Sequence, residues 1–132
     1  MLKIFCILVA GTCLLFAQAP KSDSVSMATG RLWRSMPDTT KLFYVQGIKD
    51  GLTIAAYSLP PEVRAAVIEN TQTSGFYPGD YVKELDKLYT ESENLNIMVP
   101  LAYQYVTTKL KGASTAQELE QRLIELRKIM AK

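Results

Sequence analysis

No histidine occurs in the 132-residue sequence, and both cysteines, Cys6 and Cys13, fall near its start. A Ser-His-Asp triad, a Cys-His pair and histidine metal sites are therefore excluded. Carboxylates, lysines, tyrosines and hydroxyls remain. A carboxylate pair suits glycoside hydrolysis in principle. Asp80, Glu84, Glu91, Glu93 and Glu118 have the setting of helix-cap and solvated-face residues, whereas Asp50 and Asp86 are less obviously on the surface. Ser22, Ser24 and Ser26 sit in no nucleophile motif, and Ser-x-x-Lys is absent. Residues 86–101 have the acidic run of a calcium loop. Counted from Thr90, however, the sharp-turn glycine position is Leu95 and the bidentate glutamate position is Leu101. We expect neither a metal nor a cofactor.

Two other groups of residues invite a binding role. Phe76-Tyr77-Pro78-Gly79-Asp80-Tyr81 gathers three aromatic side chains in a turn-rich loop. Exposed there, Phe76, Tyr77 and Tyr81 would make a platform for sugar or peptide. The plainer reading folds Phe76 and Tyr77 over the core and starts a helix at Tyr81. The second group is Gly47, Gly51 and Ala55, spaced by four. Each interior glycine costs a helix about 1 kcal/mol against alanine. A smooth ridge for a closely packed helix of the same chain is the first explanation; a groove for a ligand or partner, or a broken helix, are the others. No Gly-Lys-Ser/Thr follows, so this is not a phosphate loop.

Helical spacing runs through the elements that must position these residues. A short helical stretch is expected within 28–36, and Ser35-Met36-Pro37-Asp38 has capping-box spacing. A helix over 37–58 follows, with Leu42, Val45, Leu52, Ala55 and Ala56 inward. Pro60-Pro61 ends it and opens a helix over 61–70 carrying Val63, Ala66, Val67 and Ile68. Residues 71–80 read as a loop whose Asp80 caps a helix over 81–90, with Val82, Leu85, Leu88 and Tyr89 on one side. Pro100 opens the next, to Lys111, with Leu101, Ala102, Tyr105, Val106 and Leu110 inward and Gly112 as its cap. Thr115-Ala116-Gln117-Glu118 is a capping box, after which Leu119, Leu123, Leu126 and Met130 form an apolar stripe. No stretch alternates with period two. The expected fold is all-α: a single small bundle of five or six helices.

The start of the chain reads differently. Lys3 precedes an apolar run from Ile4 to Ala17, and Ala17-Gln18-Ala19 supplies small residues. This is the layout of a secretory signal peptide, with cleavage after Ala17 or Ala19. The run is shorter than the roughly 18 to 20 apolar residues of a spanning helix. An uncleaved anchor is the alternative. The expected organisation is a signal peptide over 1–19, a lead-in and short helix over 20–36, and a helical domain over 37–132. Cleavage would leave a mature chain without cysteine, held by its core alone.

Two blocks resemble small exported helical bacterial proteins of no assigned activity, over about residues 30–128. The first is Leu32-Trp33, Lys41 and Tyr44-Val45-x-Gly47-x-x-x-Gly51. The second is Leu85-Asp86-x-x-Tyr89, Asn94-x-x-Ile97 and Pro100. More distantly, the Tyr-Val-x-Gly helix and the Leu-Pro-Pro helix start are similar to Tai-type immunity proteins. That resemblance implies a helical domain that neutralises a peptidoglycan amidase in the periplasm.

Fifteen Lys and Arg stand against thirteen Asp and Glu, a formal charge of +2. This near balance disfavours a nucleic-acid partner, and a membrane surface once the signal segment is removed. We expect a periplasmic or secreted monomer, not an enzyme, that binds a protein of the cell envelope. A carboxylate-dependent cell-wall glycan hydrolase and a structural envelope protein are the competing expectations.

Overall fold

The computed structural model describes residues 27–71 and 75–131. The expected signal segment and its cleavage points at Ala17 and Ala19 lie outside the described residues. Six α-helices follow in order: α1 (Gly30–Ser35), α2 (Asp38–Tyr57), α3 (Pro61–Thr71), α4 (Pro78–Leu88), α5 (Val99–Lys111) and α6 (Ala116–Met130). A 3-10 turn, Ser92–Asn94, lies between α4 and α5. There is no strand among the described residues beyond a single antiparallel bridge between Thr29 and Met98. The all-α expectation holds.

The core is built mainly from α4 and α5, with α1, α2 and α6 laid against them. Leu85, Tyr89, Val99, Ala102 and Val106 are almost wholly removed from solvent. Tyr81 and Tyr103 stack with ring centres 4.7 Å apart, joining α4 to α5. Trp33 of α1 is fully buried and meets Tyr89 and Tyr44 at 6.4 Å. From α6, Leu123 and Leu126 are buried and Leu119 and Met130 partly so, as the apolar stripe requires.

Short polar connections fix the termini of these elements. Val99 N–H donates to Ala28 O at 2.8 Å, while Gly30 and Arg31 N–H reach Ile97 O and Leu95 O at 3.2 Å. The lead-in is thereby pinned to the connection before α5. Thr115 caps α6 reciprocally with Glu118, and Gly112 ends α5 at φ 64°. Two local expectations are corrected. Ser35 does not form a capping box with Asp38; its hydroxyl donates to Leu32 O, and Pro37 precedes α2. Helix α4 starts at Pro78 rather than 81, because Pro78 occupies the first turn and Asp80 Oδ2 reaches back to Tyr77 N–H at 2.8 Å.

Helix α3 departs most from its sequence reading. None of its described side chains is buried; Val63 is 45% exposed and Ala66 is exposed. It packs on α2, and Arg64 closes their turn by donating to Tyr57 O and Leu59 O at 3.2 and 3.1 Å.

Candidate functional site

Three helices converge on one carboxylate. Asp86 Oδ1 of α4 accepts from the indole Nε1 of Trp33 and from the ammonium of Lys41, both at 2.8 Å. Lys41 is largely buried on α2, and its nitrogen also lies 3.8 Å from Asp38 and 5.6 Å from the centre of the Trp33 ring. It occupies the inward position one turn before Val45, which is why a lysine enters the core face. A shallow groove opens beside the cluster, bounded by Asp38, Leu42, Val82, Lys83, Asp86 and Lys87. In the sequence Asp86 stands out as less superficial than its neighbours, but no spacing joins it to Trp33 or Lys41.

The cluster has the parts of a structural anchor: Asp86 Oδ1 accepts from donors on two other helices. The two carboxyls whose pKa departs clearly from the ordinary value, Glu84 and Glu118, both move downward. Glu84 is lowered by hydrogen bonds from Lys109 and Lys87, at 2.7 and 2.6 Å. Glu118 is lowered by the Thr115 N–H of its capping box. Among the described residues no group of His, Cys, Asp and Glu is placed to hold a metal ion, and no helix is long and apolar enough to cross a membrane.

The aromatic loop separates into three fates. Tyr81 is buried at 3% exposure against Tyr103, so it is a core residue and not part of an open platform. Phe76 is partly buried and packs on the core. Tyr77 alone projects, 77% exposed, at the start of α4. The three side chains do not form one surface.

The glycine ridge is corrected as well. Gly47, Gly51 and Ala55 are all exposed, and a Cβ on either glycine would meet no atom within 4 Å. Among the described residues no helix packs on them. The glycine that does permit close approach is Gly30, where a Cβ would lie 2.3 Å from the Tyr89 ring. No spacing in the sequence marks Gly30; only its neighbour Trp33 hints at a packed segment.

Exposure of the ridge uncovers a larger feature. Phe43, Gly47, Gly51 and Ile54 follow at four, four and three residues, on the side of α2 opposite Val45, Leu52 and Ala56. Phe43 is 73% exposed, Ile54 69% and Tyr57 62%. On α3, Val63 is also exposed. The exposed residues of α2 carry only two charges, Asp38 and Asp50. No protein-family model, curated protein or solved structure matches the chain.

Proposed function

We propose that the chain is an exported, non-enzymatic module that binds another protein, in the manner of an immunity protein, through the outward face of α2. The observation that carries this reading is the exposed stripe of Phe43, Gly47, Gly51, Ile54 and Tyr57. Large apolar side chains gathered on one solvent-facing surface mark interaction sites more often than scattered ones do. The glycines lower the surface between Phe43 and Ile54, so a partner's side chain can sit close to the α2 backbone. The resemblance to small exported helical proteins and, distantly, to Tai-type immunity proteins points the same way. So does the layout of the first 19 residues, which directs the chain to the periplasm or outside the cell.

The test is affinity isolation from a cell-envelope fraction with three forms of the chain: unaltered, Phe43→Ser and Ile54→Ser. A partner retained by the first and lost by both variants is expected. Both substitutions fall on exposed positions, so the fold tolerates them. Tyr81→Ala is unsuitable as a probe, since it opens a cavity beside Tyr103. Turnover of purified peptidoglycan by the unaltered chain would overturn the reading.

A further inference from the structure

We draw no further inference here: the strongest candidate, the exposed apolar face of α2 around Phe43 and Ile54, carries none because nothing in the structure shows what covers it.

Discussion

Glycine has opposite meanings at two places in this chain. At Gly30 a methyl group would collide with the Tyr89 ring, 2.3 Å away. Gly30→Ala is expected to cost about 1–3 kcal/mol as Trp33 and Tyr89 shift apart, read as a lower midpoint in urea. At Gly47 and Gly51 a methyl group meets open space. Gly47→Ala and Gly51→Ala should each stabilise the fold by about 1 kcal/mol, raising the melting temperature. Titration adds a third expectation. Lys109 and Lys87 depress the Glu84 carboxyl below its ordinary value of 4.5. Its contribution is therefore complete above the unfolded value and disappears as the pH falls through the folded one. Glu84→Gln should be less stable than the unaltered chain at pH 7, with the difference shrinking in acid denaturation curves as the pH falls below the ordinary carboxylate value of 4.5. Burial raises Tyr89 far above the ordinary tyrosine range. Its contribution is whole below about pH 10 and declines as the pH rises beyond that.

The helices differ in how far sequence dictates them. Helix α6 is legible down to its first residue, because a capping box and a four-three-four apolar stripe agree. Its place in the bundle is not. Arg127 reads locally as a cation in a last helical turn. In the fold it donates to Asn94 Oδ1 at 2.9 Å and pairs with Glu91 and Glu93 at 3.0 and 2.9 Å. Asn94 is fully buried and also donates to Leu88 O. Such contacts span more than thirty positions of sequence and leave no periodic signal. Arg127→Met should cost about 1–3 kcal/mol, because it strips a donor from a buried amide oxygen. Protection of α6 amides against hydrogen exchange should fall with it. Helix α3 and the outward side of α2 differ from their sequence reading for a related reason. Periodicity finds apolar residues, but it cannot distinguish a face packed within the chain from one left open for another molecule. Spacing alone assigns Leu42 and Ala55 inward, and both are exposed. For Tyr81 the difference runs the other way. A turn-rich setting suggests exposure, while the early start of α4 at Pro78 carries that side chain into the core.

At the scale of the molecule, the bundle has a consolidated half and an open one. Around α4 and α5 lie the stacked tyrosines, buried Trp33 and the Lys41–Asp86 pair. The other half is the outer side of α2, where large apolar groups face water, together with α3, which packs on α2 and buries none of its described side chains. Composition limits the available chemistry by itself, through the absence of histidine and of cysteine beyond Cys13. What the fold adds is an exposed apolar face on α2. The most direct measurement is site-specific photo-cross-linking in cells that export the full chain. A photoreactive residue replaces Phe43 in one strain and Gln121, on the polar side of α6, in another. A discrete cross-linked protein from position 43 and none from position 121 is the predicted result. An unchanged monomer at both positions, or the same products from both, would contradict a binding role for the outward face of α2.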